Sequence, residues 1–399
     1  MQIIVQKYGG SSVATTERLE NVAQKMKSKV EEGYKVVGVV SAMGKTTDGL
    51  ISLAKQLSPS PFPREMDMLL ATGEQVSAAL LSIKLNEIGV RAKSFNAFQI
   101  NILTTAQHTR ARIKDLDDSI ILEELKKCEI IIVTGFQGID ESGDLTTLGR
   151  GGSDTTAVAL ASKLQCPCEI YSDVDGIYTC DPKIYPRAKK INYVTYDDML
   201  EMASLGAKVL HSRSVEIAKK YSVPLYCASS FTDKEGTYVV DKLPEWLEEP
   251  VVTGATLEKG QIKITISDLP EDEYVISKCF QKLSEINVNV DMISLFSNGG
   301  NFHLSFTILA DHEDSIDNSL KEILGSNVMI SNDGEYTKLS IVGVGMRSSP
   351  GVAARFFSIL SRIKIKPVLV TTSEIKISCL VPEKLSEEAL REVSKEFEL

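Results

Sequence analysis

Up to about Lys242, short β-branched runs alternate with stretches of helical period. Ile3–Val5, Val36–Val40, Ile130–Thr134, Glu169–Ser172 and Pro224–Cys227 predict strands. Between the first two, Leu19, Val22, Ala23, Met26 and Val30 fall on one face of a helix, and further helices are predicted over Gln75–Ile88, Ser153–Leu164 and Ala207–Lys220. Apolar strands separated by helices predict a mostly parallel sheet covered on both faces. Ligands of such sheets sit beyond the carboxyl ends of the strands, so chemistry is expected in the loops that follow strands.

Asp241–Pro250 holds two prolines, four acids and the only tryptophan, and reads as a linker. Beyond it the pattern repeats. Phe280, Leu283, Ile286, Val288, Met292 and Ile293 recur 77 positions later as Phe357, Leu360, Ile363, Ile365, Leu369 and Val370. Each copy reads strand, helix, strand, strand, helix, which predicts a tandem duplication of a small α+β module. Three domains are expected, over residues 1–242, 251–330 and 335–399.

Composition narrows the class. At 399 residues the chain exceeds one ordinary core, and 43% hydrophobic with 25% charged residues is the balance of a soluble globular protein. No run approaches the roughly 18 apolar residues of a membrane span. The opening Met1-Gln2-Ile3-Ile4-Val5 lacks the basic and long apolar parts of a secretory signal and reads as a first strand. Seven cysteines are an odd number, and Cys166-Pro167-Cys168 is too close-spaced for a zinc knuckle, so reduced thiols in a cytoplasmic protein are expected. His108, His211, His303 and His312 make no ligand spacing. A net charge of −10 argues against nucleic acid as a ligand, yet leaves room for a small phosphate held by a few lysines.

Several loops could hold such a group. Lys7-Tyr8-Gly9-Gly10-Ser11-Ser12 follows the first strand, and its glycines let bare amides approach an anion at a helix start. The plainer reading is a glycine turn with a surface lysine. Gly44-Lys45-Thr46 resembles the end of a P-loop, but position 39 is Val39 where the first glycine belongs, so a P-loop is rejected. Gly149-Arg150-Gly151-Gly152-Ser153-Asp154 joins a guanidinium to three glycines, a candidate N-cap in Ser153 and an acid in the first helical turn. Arg150 suits a carboxylate or phosphate, while Asp154 either favours the helix dipole or holds an ammonium. Ser172–Lys183 leaves a strand with several acids and an aromatic, and suits either a purine pocket or an Asx-turn connector.

Six ordered segments, Lys7–Ser12, Ser41–Leu50, Ala71–Gln75, Thr147–Asp154, Ser172–Lys183 and Gly206–His211, together resemble the aspartate kinases of the amino-acid kinase superfamily. The resemblance runs from Lys7 to the C-terminus. It implies a three-layer α/β/α sandwich (the carbamate kinase-like fold) followed by two ferredoxin-like ACT modules, with strands exchangeable between the modules. By the same resemblance Lys7, Arg150 and Asp154 are catalytic. Lys7, Tyr8, Gly9, Gly10, Ser41, Ser172, Asp173, Tyr178, Asp181, Pro182, Lys183 and Lys208 serve ATP. Thr47, Glu74, Phe136, Arg150, Gly151, Gly152, Ser153 and Asp154 surround aspartate. Asp291, Met346, Ser349, Gly351, Thr372, Ser373 and Glu374 fall where effectors bind. Serine stands for the more usual threonine at Ser11 and Ser172, and Tyr8 for phenylalanine, all keeping the hydroxyl or ring.

The implied reaction is phosphorylation of the aspartate side chain, the first step toward lysine, threonine and methionine. A carboxylate nucleophile is ionised near neutral pH and needs no general base, which agrees with the lack of an activated His or Cys pair. Cations must instead neutralise the transferring group, so Lys7 and Mg²⁺ carried by ATP are expected, without a metal cage made by the protein. Alternatives are a kinase acting on glutamate or a nucleotide monophosphate, and a non-catalytic amino-acid sensor. Lysine or threonine is the expected effector, and a homodimer or larger assembly is expected through the ACT modules. Superposed by the repeat, neither module holds both an effector turn and an acid: Asp291 of the first meets Val368 of the second, and Glu273-Tyr274 of the first stand where the second has Pro350-Gly351 of its turn Ser349-Pro350-Gly351. Leu295 stands where relatives often carry an effector-binding glutamine.

Overall fold

The structure, a computed structural model, describes residues 2–207, 209–246, 250–270, 274–286, 288–298, 301–310, 313–324 and 329–399. Lys208, Glu273 and His312, singled out above, lie outside the described residues. The chain divides into two units. The first comprises Met1–Ile177, Lys190–Ser204 and Lys208–Glu248, and the second Tyr178–Lys189, Leu205–Ala207 and Glu249–Leu399.

In the first unit the elements run β1 (Gln2–Tyr8), α1 (Thr16–Glu31), β2 (Tyr34–Val40), α2 (Thr46–Leu57), α3 (Pro63–Leu70), α4 (Thr72–Glu87), β3 (Ala92–Phe95), β4 (Ile102–Thr104), β5 (Ile113–Leu116), α5 (Ser119–Leu125), β6 (Ile130–Thr134), β7 (Gln137–Ile139), β8 (Leu145–Thr147), α6 (Gly152–Leu164) and β9 (Cys168–Ser172). After β10 (Ile177–Tyr178) and β11 (Lys190–Ile191) come β12 (Tyr193–Thr195), α7 (Tyr196–Ser204), α8 (Ser212–Tyr221), β13 (Leu225–Ser229) and β14 (Thr237–Val240). An eight-stranded sheet of order β12-β14-β13-β9-β1-β2-β6-β3 forms the middle layer, and only the β13–β14 pair is antiparallel. Strand β6 is buried at every position, as a strand covered on both faces must be. Leu19, Val22 and Met26 of α1 share one core with Leu81 and Leu85 of α4, while α6 packs on α8 and against β1, β2 and β9. A smaller sheet, β5-β4-β7-β8, lies beside the main one in sequence.

Three helix starts differ from the sequence expectation. Helix α6 opens at Gly152 behind Gly151, whose left-handed φ of +67° caps it, so Ser153 is a helical residue and not the N-cap. Helix α4 opens at Thr72 and takes Gly73 and Glu74 into its first turn. Helix α8 opens only at Ser212, where the His211 ring accepts the Arg213 amide, so the described residues between Ala207 and His211 are not helical.

The second unit is built on one antiparallel sheet of order β16-β17-β15-β18-β20-β19. Its elements are β15 (Gly254–Pro270), α9 (Val275–Glu285), β16 (Ile293–Asn298), β17 (Asn301–Leu309), α10 (Glu313–Leu324), β18 (Met329–Val342), α11 (Val352–Arg362), β19 (Val370–Thr372), β20 (Lys376–Pro382) and α12 (Ser386–Glu396). The element order of the repeat is therefore present twice. Strand β15 serves both halves. Its Ile262, Ile264, Ile266 and Leu269 pack with Cys279, Leu304 and Phe306, whereas Ala255 and Leu257 pack with Leu339, Phe356, Cys379 and Leu390. Tyr178–Lys189 joins the latter core through Cys180, Ile184, Tyr185 and Ala188, with the Ala255 amide donating to Thr179 O at 2.7 Å. All seven cysteines are free, and all but Cys166 are buried. Among the described residues no helix is long and apolar enough to cross a membrane.

Candidate functional site

Parallel register brings the carboxyl ends of four strands to one edge of the first unit. Tyr8 of β1 lies opposite Val40 of β2 and Tyr171 of β9, and Val40 lies opposite Thr134 of β6. The N-terminus of α6 arrives at this edge. Lys7 Nζ stands 2.6 Å from Asp154 Oδ1, with each side chain 11% exposed. Two charges this sheltered require a partner of opposite sign close by, and each is that partner for the other. The Ser41 hydroxyl, just past β2, donates to Ser153 Oγ at 2.9 Å, and a Cβ at Gly135 would lie 2.7 Å from that oxygen. The glycine is required by the close approach of α6.

Glycines also shape the turn after β1. The Gly9 amide donates to Tyr171 O, and the Gly44 amide to Gly10 O. A Cβ at Gly10 would meet Ala42 O at 2.9 Å, so any larger residue would push the two strand ends apart. A Cβ at Gly9 would come within 3.4 Å of the Lys7 ammonium, which leaves that cation open on its glycine side. Tyr8 turns its ring into the core, stacked on Tyr171 with centroids 5.0 Å apart, and offers this edge only its backbone.

Glu74 is 3% exposed and accepts the Ala42 amide through Oε1 at 3.1 Å, while Oε2 has no hydrogen-bond partner among the described residues. Burial pushes its carboxyl up to about 7, against the lowering effect of the backbone amides. Phe136 holds a positive φ of +70°, which seats it against Gly152, where a Cβ would fall 2.8 Å from its ring. Thr47 is partly exposed in the first turn of α2. Arg150 is exposed, and among the described residues its side chain makes no hydrogen bond or ion pair. The edge thus gathers Lys7, Gly9, Gly10, Ser41, Glu74, Phe136, Gly152, Ser153 and Asp154 around the ends of adjacent strands.

Ser172 ends β9 and Asp173 follows it in the same unit, with Ser172 Oγ accepting the Val174 amide and Ser172 O accepting from Ser230. Tyr178, Asp181, Pro182 and Lys183 belong to the second unit, where Asp181 Oδ1 accepts the Lys183 amide at 2.9 Å in an Asx-type turn. Of the expected effector residues, Asp291 pairs with Lys338, which also lies 2.6 Å from Glu258, and Glu374 pairs with Arg347 at 2.6 Å. Gly351 caps α11 with a φ of +92°, and Ser349 follows the short turn that contains Met346. Thr372 ends β19, and the Ser373 amide donates to Lys376 O.

Sequence reasoning passed over Asp67 and Arg213, and gave His108 no role because it shows no ligand spacing. His108 lies with Asp140 and Asp144 in a group whose ligand atoms are within 4.8 Å of one another, which its sequence spacing does not suggest. Asp144 is there held by Arg64 at 2.7 Å, and His108 Nδ1 by Asp67 at 2.8 Å, so these side chains already have partners. A signal for Asp67 was present: it shares the buried face of α3 with Leu70, and an acid on an apolar face asks for a partner.

Residues 2–229 match the amino acid kinase family, and residues 339–397 match an ACT domain. An aspartokinase of Pseudomonas aeruginosa is 45% identical over 408 residues, covering 100% of this chain and 98% of its own. The crystal structure of aspartate kinase from Synechocystis is 39% identical, covers 100% of this chain and 69% of that one, and superposes with a TM-score of 0.56. That of E. coli aspartokinase III in complex with aspartate and ADP shares the fold over 99% of both chains, with a TM-score of 0.84 at 24% identity. The chain belongs to the amino acid kinase family and, within it, to the aspartokinases.

Proposed function

We propose that the first unit transfers the γ-phosphoryl group of ATP to the side-chain carboxylate of L-aspartate, the activity of the aspartokinases to which the chain belongs. The observation that carries this reading is the sheltered Lys7–Asp154 pair beside the glycine turn, where the Gly10 amide makes no hydrogen bond among the described residues. A carboxylate oxygen of aspartate attacks the γ-phosphorus as the bond to the bridging oxygen breaks, giving 4-phospho-L-aspartate and ADP. No proton is moved, and charge is the difficulty.

Lys7 neutralises the transferring group, held in place by Asp154, while Gly9 gives the phosphates room to approach and the Gly10 amide meets a phosphate oxygen. Arg150 grips the α-carboxylate of aspartate by two parallel hydrogen bonds. Glu74, with one unpartnered oxygen, takes the ammonium, among Thr47, Phe136, Gly151, Gly152 and Ser153. Mg²⁺ carried by ATP supplies the further positive charge that these few cations do not. Ser41, Ser172, Asp173, Tyr178, Asp181, Pro182, Lys183 and Lys208 serve the nucleotide. The catalytic part spans 1–242, and ACT modules over 251–330 and 335–399, sharing β15, take lysine or threonine and pair between subunits of a cytoplasmic homo-oligomer.

ADP release by the full chain with ATP, Mg²⁺ and either aspartate or glutamate tests this reading. Aspartate-dependent release at least about tenfold above glutamate, worth about 1.4 kcal/mol, is expected. Release driven by glutamate instead, or by neither amino acid, would move the assignment to another amino-acid kinase or to a sensor.

A further inference from the structure

Asp67 lies on α3, is 0% exposed, and among the described residues its carboxylate makes no hydrogen bond or ion pair with those gathered at the strand ends described above. Its carboxylate nevertheless has four hydrogen-bond contacts. The Thr109 amide reaches both oxygens at 3.0 Å, the Thr147 hydroxyl donates to Oδ1 at 2.6 Å, and His108 Nδ1 meets Oδ2 at 2.8 Å. A buried carboxylate so saturated is a rigid anchor, because releasing any donor leaves the charge short of a partner.

What it anchors is the run into Arg150. Thr147 ends β8, two residues before Gly149, and Thr109 O lies 3.0 Å from where a Gly149 Cβ would be. Thr147 O accepts the Ala111 amide, and Leu148 N donates to Phe136 O. From another side Arg213, half-buried, donates to Leu148 O at 3.1 Å and to Ala111 O at 3.0 Å. The His211 ring closes on Gly151, leaving no room there for a Cβ. Gly149 and Gly151, at φ of +75° and +67°, turn the chain so that Arg150 alone stands out from this braced segment.

We infer that Asp67, acting through the Thr147 hydroxyl and the Thr109 amide, is a positioning residue for Arg150 and thereby sets the affinity for aspartate without touching it. The inference rests on the reading of Arg150 as the grip on the α-carboxylate. A guanidinium fork tolerates little displacement, so slack in its loop weakens one substrate selectively.

Thr147→Val removes one hydroxyl at nearly constant volume, and Thr147→Ser keeps it. Steady-state kinetics of the full chain should show KM for aspartate up about tenfold in Thr147→Val, KM for ATP within about twofold, and Thr147→Ser close to the parent. Asp67→Asn should behave like Thr147→Ser. It keeps an oxygen for the Thr109 amide and the Thr147 hydroxyl, and sets its NH₂ against His108, whose Nδ1 accepts in the other tautomer. In an Arg150→Ala background, which itself raises KM for aspartate, adding Thr147→Val should change that constant by less than about twofold, because the anchor then has nothing to position. Equal rises in both KM values, a full Thr147→Val effect persisting without Arg150, or an unchanged KM for aspartate in Thr147→Val would overturn the inference. An unchanged KM for aspartate in Arg150→Ala would overturn the reading of Arg150 itself.

Discussion

Each unit buries a lysine against carboxylates, and the two are held differently. Lys7 lies one residue before the end of a parallel strand, has the single charged partner Asp154 among the described residues, and is open on the side where Gly9 lacks a Cβ. Lys338 lies within β18, is 3% exposed, and is paired by both Glu258 and Asp291. Burial alone would lower the Lys338 ammonium, but the two carboxylates overcome it and raise its pKa. A cation with more than its charge matched and no open side is structural. One matched once, near a strand end with the bare Gly10 amide beside it, can take on a new anion when one arrives. Burial and ion pairing alone do not separate the two roles; the open side and the position in the sheet do.

The largest effect should come from Lys7. Lys7→Ala should lower kcat by about 10²-fold or more, as loss of an electrostatic contact to developing charge does, with a far smaller change in binding. Less than a threefold fall would make Lys7 as structural as Lys338.

Glu74 sharpens the same contrast, as a buried acid at that edge that pairs with no cation among the described residues. Its carboxyl is raised from 4.5 to about 7 by burial, so the stability tied to its protonated form is fully present below about 4.5 and lost as pH rises through about 7. At about 1.4 kcal/mol per pH unit this amounts to about 3 kcal/mol. In denaturant titrations of the free protein, Glu74→Gln should gain on the parent by up to that amount between pH 4.5 and 8. A difference that does not change with pH would mean that Glu74 is solvated in the folded protein.

Lys338→Met should act on stability instead of catalysis. Removing the ammonium leaves two acids facing each other, but Glu258 is 28% and Asp291 52% exposed, so water screens part of the loss. About 1–2 kcal/mol is expected, below the usual cost of breaking a fully buried pair, with kcat within about twofold. A larger fall in kcat than in stability would reverse the assignment.

The smallest effect concerns feedback. On the reading that Asp291 and Glu374 face the effector, an amino acid must compete with Lys338 for one acid and with Arg347 for the other, since both pairs are already formed. On the same reading Leu295, on β16, would leave a polar effector group unpaired, at a cost of about 1–3 kcal/mol. Lysine alone and threonine alone should therefore inhibit weakly, with strong inhibition only when both are present. Half-inhibition by either one well below about 1 mM, where binding exceeds about 4 kcal/mol, would show that the internal pairs are no obstacle.

Much of this protein was written in local periods. Apolar runs at β1, β2, β6, β9 and β13, the amphipathic face of α1 and the repeated pattern beyond Lys242 depend on which face of an element is buried, and a period of 2 or 3.6 reports that directly. The glycine clusters around Gly9 and Gly151 mark close approach and left-handed turns for a reason equally local. Partnerships across the chain were not legible in this way. That Lys7 meets Asp154, that Ser153 is bound by Ser41 and is not a cap, and that Asp67 reaches Thr109 and Thr147 all follow from which strands are neighbours and in what register. The placement of Tyr178–Lys189 in the core of the second unit, far from it in sequence, is of the same kind. A side chain's partner is set by the sum of many packing choices made elsewhere, so only the tertiary structure decided it.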